Sequence, residues 1–174
     1  MDASAHLAEA EDCVIDEAVA ILAQRDEARQ SPGPEERRRD VRQLFHLVLR
    51  CMRAGRAEPI IRPSERIAAH CYAAGIDLAE VQEAFDVLAE VLWRHLVGAL
   101  AGEQLVQALG LLNAIVGEGK DAMARIYVAL ATGVRLHAAD GHLRSATVAG
   151  KFSRVFSAGR QTAARAVVGK SLRP

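Results

Sequence analysis

The stretch Asp77-Leu78-Ala79-Glu80-Val81-Gln82-Glu83-Ala84-Phe85-Asp86-Val87-Leu88-Ala89-Glu90-Val91-Leu92-Trp93-Arg94-His95 decides the fold class. Leu78, Val81, Phe85, Leu88, Leu92 and His95 recur in alternating steps of three and four, the spacing of one face of an α-helix. Asp77 stands at the N-cap position and Glu80 follows three residues later, an Asp-type capping box that fixes the start. Forwards, Gly102 precedes a longer segment in which Leu105, Leu109, Leu112, Val116, Gly119, Met123, Ile126 and Leu130 keep the same rhythm. Backwards, Ser64 opens a short helix that stops at Gly75. Residues 35–54 form another, with Glu35 and Glu36 suiting its positive N-terminus and Val41, Leu44, Phe45, Val48 and Met52 as its stripe. Residues 4–29 read as the first helix, with Val14, Ala18, Ile21 and Leu22 on one face. Ser31-Pro32-Gly33-Pro34 and the prolines at Pro59 and Pro63 punctuate the chain. The expected fold is all-α, a bundle of five or six helices.

Composition agrees. The chain has 174 residues, enough to bury a core without disulfide staples. It is 51% hydrophobic but only 4% aromatic, which favours helix packing over a β-sandwich core. No apolar run approaches the roughly 20 residues of a membrane span, so none is expected. The start, Met1-Asp2-Ala3-Ser4, lacks a basic signal-peptide head. Three cysteines, Cys13, Cys51 and Cys71, are odd in number and far apart, which fits buried thiols in a reducing compartment. A cytoplasmic protein is expected.

The net charge of zero hides a division. All 22 acids lie at or before Asp140, and residues 1–140 carry a net charge of −7. Residues 141–174 hold seven bases and no acid. The expected organisation is a helical body over 1–140 and a basic amphipathic tail over 141–174. In the tail Val148, Phe152, Val155 and Phe156 share one helical face, with bases around them. Lys151, Phe152, Arg154, Val155, Phe156 and Arg160 are therefore the candidate partner-binding residues, by apolar docking and charge together. An acidic surface of the chain itself, or of a neighbouring subunit, would also serve. The tail matches no DNA-binding motif, so sequence-specific nucleic-acid recognition is not expected.

Catalytic chemistry finds little foothold. There is no phosphate-cradling glycine loop, no paired Cys-x-x-Cys and no His-Glu-x-x-His. Glu65 with His70 and Glu90 with His95 are each five apart, whereas a di-iron motif needs three, which puts both side chains on one face. No catalytic residue and no metal site are expected. Most of the histidines read as core or rim residues; the sharper alternative makes His70 or Cys71 a haem ligand. The long stripe after Gly102 exceeds what one small core requires, so Leu112, Val116, Met123 and Ile126 are expected to meet a second copy in a homodimer. Gly117 and Gly119 weaken or bend that helix.

The run Arg66-Ile67-Ala68-Ala69-His70-Cys71-Tyr72-Ala73-Ala74-Gly75-Ile76-Asp77-Leu78, continuing through Phe85, Leu88 and Trp93, resembles the N-terminal domain of RsbR/RsbRD-type co-antagonist proteins of bacterial stress signalling; a similar module precedes PucR-like regulators. In that family an Arg- and Ala-rich helix ends in Gly-Ile/Val-Pro-Leu, and a Trp follows about fifteen residues later. The resemblance covers about residues 35–130. It implies a globin-like helical fold without haem, usually dimeric through a long helix, acting as a sensory or regulatory domain joined to an output domain. This sequence shows no STAS-type output domain, so the expectation is either action through a separate protein or a chain that is a fragment. The run also looks like the proximal helix of haem globins, whose axial His precedes the glycine by four. Here that position is Cys71, and His70 is one residue, about 100° of rotation, away.

Three functions follow as expectations. The first is a non-enzymatic, dimeric regulatory module with no cofactor that binds a protein partner in stress or transcriptional signalling. The second is a haem-based gas or redox sensor using His70 or Cys71. The third is a scaffold or encapsulated cargo protein, because Gly169-Lys170-Ser171-Leu172-Arg173 is similar to the Gly-Ser-Leu-Arg/Lys endings that load cargo into encapsulin shells, with a lysine inserted.

Overall fold

The structure, a computed structural model, describes residues 2–25 and 33–133. Among them are six α-helices, one 3-10 turn and no strand. The helices are α1 (Ala3–Glu9), α2 (Glu11–Arg25), α3 (Pro34–Ala54), α4 (Ile61–Ala73), α5 (Leu78–Ala99) and α6 (Gly102–Thr132), with the turn at Glu58–Ile60 before α4. The chain is an all-α bundle.

Local chemistry accounts for most boundaries. Asp2 caps α1 by accepting from the Ser4 N–H at 3.1 Å. Pro34 opens α3 where its missing N–H costs nothing, and Glu35 and Glu36 fill the first turn. Asp77 caps α5 by accepting from the Ala79 N–H at 3.3 Å. Two boundaries differ from the expectation. Residues 4–29 do not make one helix: the chain kinks at Ala10 (φ −89°, ψ 6°), and Glu11 and Asp12 start α2 afresh. Both pieces pack on α3 and α5, and this contact outweighs the local propensity for one straight helix. The fourth helix starts at Ile61, before Ser64, because Pro63 falls in the first turn, where a backbone donor is not needed.

The core is filled by Phe45, Leu88, Leu92, Leu96, Leu112, Ile115 and Met123, all essentially inaccessible. Helix α6 lies across α4 and α5. Gly119 permits that closeness: a Cβ there would stand 2.9 Å from Phe85 Cε1 and 3.3 Å from Ser64 Oγ. Leu112 (1% exposed) and Met123 (0%) lie inside this chain's own core, and Val116 and Ile126 pack partly buried against it. The stripe expected to meet a second copy therefore closes on the monomer. No helix among the described residues is long and apolar enough to cross a membrane.

Candidate functional site

Helix α4 ends at Gly75, whose φ of 72° is the left-handed conformation that glycine adopts without a Cβ penalty. The Gly75 N–H donates to the Tyr72 carbonyl at 2.9 Å and the Ile76 N–H to the Cys71 carbonyl at 3.0 Å. This is a Schellman closure, and it folds Ile76 back over Cys71, both of them buried. The reversal delivers Asp77 and Leu78 alongside the last two turns of α6. Between the two strands of chain lies an open groove of about 720 Å³. Tyr72, Ile76 and Leu78 line one side and Tyr127, Val128 and Ala131 the other. The Tyr127 hydroxyl donates to the Ile76 carbonyl at 3.0 Å, and the Tyr72 and Tyr127 rings meet edge to face with centroids 5.4 Å apart. Those contacts hold the floor of the groove in place.

Beneath it is a set of acids that prefer their protons. Asp40 on α3 is 9% exposed, and neither carboxyl oxygen has a hydrogen-bond partner among the described residues. Burial, reinforced by the charge of Glu36 and opposed by Arg39, pushes its carboxyl up to about 7. Burial pushes the Cys71 thiol up to about 12, with the charges of Asp40 and Glu80 adding to it. Burial raises the Tyr127 phenol too, helped by Cys71, Asp77 and Glu80. A thiol held protonated in a packed core is a poor metal ligand. His70 is half-buried, and its Nε2 atom has no hydrogen-bond partner among the described residues. The groove is lined by neither His70 nor Cys71. Neither candidate haem ligand therefore opens onto that groove. Among the described residues no three His, Cys, Asp or Glu side chains gather as a metal site.

His46 and His95 join ion networks. His46 sits 3.0 Å from Glu11, which Arg42 also approaches; His95 sits 3.3 Å from Glu17, which also holds Arg94 at 3.0 Å. The Asp140–Gly141 boundary lies outside the described residues, and so do Lys151, Phe152, Arg154, Val155, Phe156 and Arg160.

Two members of this site escaped the sequence reading. Asp40 stands in the i, i+4 register of Leu44 and Val48, an acid on a core face, and that register was its signal. Tyr127 falls four residues after Met123 and was masked by its neighbour Ile126.

Comparison with family models brings a match to the RsbT co-antagonist protein rsbRD N-terminal domain over residues 12–142. The match spans three quarters of the chain and takes in α2 through α6. The chain belongs to this family. Comparison with curated proteins gave no match, and comparison with solved structures gave none. An RsbRD N-terminal domain is a regulatory module of stress signalling, and the groove at Gly75 lies within the matched residues. Within that match Asp77 caps α5 with its carboxylate.

Proposed function

We propose that this RsbRD domain is a non-enzymatic, cytoplasmic module with globin-like packing that dimerises and passes a signal to a separate output protein. The family match carries the regulatory part of that reading. The dimer is supported by surface chemistry at the corner where α5 turns into α6: Trp93, Val97 and Val106 are 46%, 42% and 70% exposed, all within about two helical turns of Leu100. They, rather than Leu112 and Met123, are the apolar side chains on offer to a second copy. The body over 1–140 is the sensing part, and the tail over 141–174 carries the docking residues Lys151, Phe152, Arg154, Val155, Phe156 and Arg160. Without a cofactor, the signal is a change of shape or of protonation, for which Asp40 is placed.

The test has two arms. Light scattering at micromolar concentration should return twice the chain mass. Affinity capture from stressed cells should recover a protein with a STAS-type output domain, and recovery should fall when Lys151, Arg154 and Arg160 are all changed to Glu. A monomer, or capture that this triple change leaves intact, defeats the corresponding arm.

A further inference from the structure

We propose that residues 148–160 of the chain dock in cis into the groove between Tyr72, Ile76 and Leu78 on one side and Tyr127, Val128 and Ala131 on the other. This rests on the reading of the tail as a docking segment and is independent of dimerisation. The groove wants an apolar occupant: Val128 is 61% exposed, and Leu78 is only partly covered. Its volume lies within the roughly 300–1,000 Å³ of small-ligand sites, but an open trough with carboxylates at its rim suits a basic peptide better than an enclosed small molecule. None of its lining residues is basic. Asp77 belongs to the lining and Glu80 stands near Tyr127, so the rim nearest the end of α4 carries two acids.

The tail has the complementary pattern. Val148, Phe152, Val155 and Phe156 share one face at helical spacing, and Lys151, Arg154 and Arg160 flank it, with no acid anywhere after Asp140. Position decides for this occupant. One wall of the groove is the last two turns of α6, so the chain leaves the described residues beside the groove it would fill. Gly133, at φ 67°, ends α6 in the left-handed conformation that lets the chain turn back. From Gly133 to Val148 a flexible chain covers about 20 Å on average, and it could extend to about 50 Å. A tethered segment at that range has an effective concentration of about a millimolar, so weak contacts suffice to hold it.

The test uses the full chain and reads tryptic cleavage after Lys151, Arg154 and Arg160 by mass spectrometry. Docking protects these bonds at least tenfold relative to a synthetic peptide of residues 141–174. Val128→Lys, on an exposed site, should remove that protection with the circular dichroism and Tm of the body unchanged. Glu80→Lys should remove it with the circular dichroism unchanged and a Tm a few degrees lower, because it also reverses the charge in the first turn of α5. Adding 1 M salt should remove it too. Lys151→Glu combined with Glu80→Lys should restore it when cleavage after Arg154 and Arg160 is followed. The proposal is overturned by cleavage as fast as in the free peptide. Protection that rises with protein concentration (a second copy), or that needs added anionic vesicles (a membrane), overturns it equally.

Discussion

Asp40 is the residue whose environment departs furthest from its chemistry. An unpartnered carboxyl, 9% exposed, favours the neutral form, and its pKa of about 7 lies above the ordinary carboxylate value of 3.8. Between those two values the unfolded chain has released this proton and the folded chain still holds it. Stability therefore falls as pH rises through that window, by up to about 1.4 kcal/mol per pH unit from this group, and the loss is complete above pH 7. Asp40→Asn removes the ionisation. The variant should be more stable than the parent by about 2–4 kcal/mol at pH 8, with the difference vanishing near pH 4; urea titrations at the two pH values measure it. A parent whose stability is flat from pH 5 to 8 would count against this assignment. The cysteines make a second residue-scale contrast. Cys71 is inaccessible and its thiol is pushed up to about 12, whereas Cys13 is exposed. A thiol reagent at pH 8 should modify Cys13 in the folded protein and reach Cys51 and Cys71 only after denaturation, which intact-mass measurement would resolve.

At the scale of the element, two glycines two residues apart, on different faces of α6, separate cause from appearance. Gly117 and Gly119 both look like weak points in α6. Only Gly119 has neighbours where a Cβ would go, and at 2.9 Å the Phe85 ring, itself 2% exposed, must move. Gly117→Ala should raise stability by about 0.5–1 kcal/mol through helix propensity alone. Gly119→Ala gains the same propensity but overpacks the contact among α4, α5 and α6 at a cost of about 1–3 kcal/mol, so its net effect should be destabilising. Thermal melts of the two variants, opposite in sign, check the pair. Sequence periodicity found α3, α5 and α6 because each has a continuous stripe and an end signal. It even held, unread, the repeated ending Cys51-Met52-Arg53-Ala54-Gly55 and Cys71-Tyr72-Ala73-Ala74-Gly75, where a buried Cys stands four residues before a left-handed Gly in each case. What it could not give was which partner each stripe meets. The kink at Ala10 follows from packing on two other helices, and so does the use of Leu112 and Met123 inside the monomer. The groove is less legible still, since Tyr72 and Tyr127 are 55 positions apart and meet only because α4 reverses at Gly75.

For the whole molecule the same question, which face meets which, becomes a question of assembly. A bundle that hides its strongest stripe can dimerise only through what it leaves outside, and the exposed Trp93, Val97 and Val106 flank the turn from α5 into α6. In a two-fold dimer each of these residues is used twice, so one substitution buries two charges and loses apolar contact at two places. Val106→Glu should weaken the dimer at least a hundredfold, about 3 kcal/mol, while leaving the helical signal and monomer stability unchanged, because Val106 is 70% exposed. Leu112→Glu should do something different. Burying a charge at a position that is 1% exposed costs several kcal/mol, comparable with the whole stability of a small domain, and the chain should unfold rather than dissociate. Sedimentation and circular dichroism on both variants tell the outcomes apart. If Val106→Glu stays dimeric, the interface must lie on the other exposed apolar stretch of α6, at Val128 and Leu130. The groove wall would then be covered by a second copy, and Val128→Lys would produce monomers. The two surfaces stand at opposite ends of α6, so a single substitution at each end tells which of them a second copy uses and whether the groove at Val128 is left for the tail.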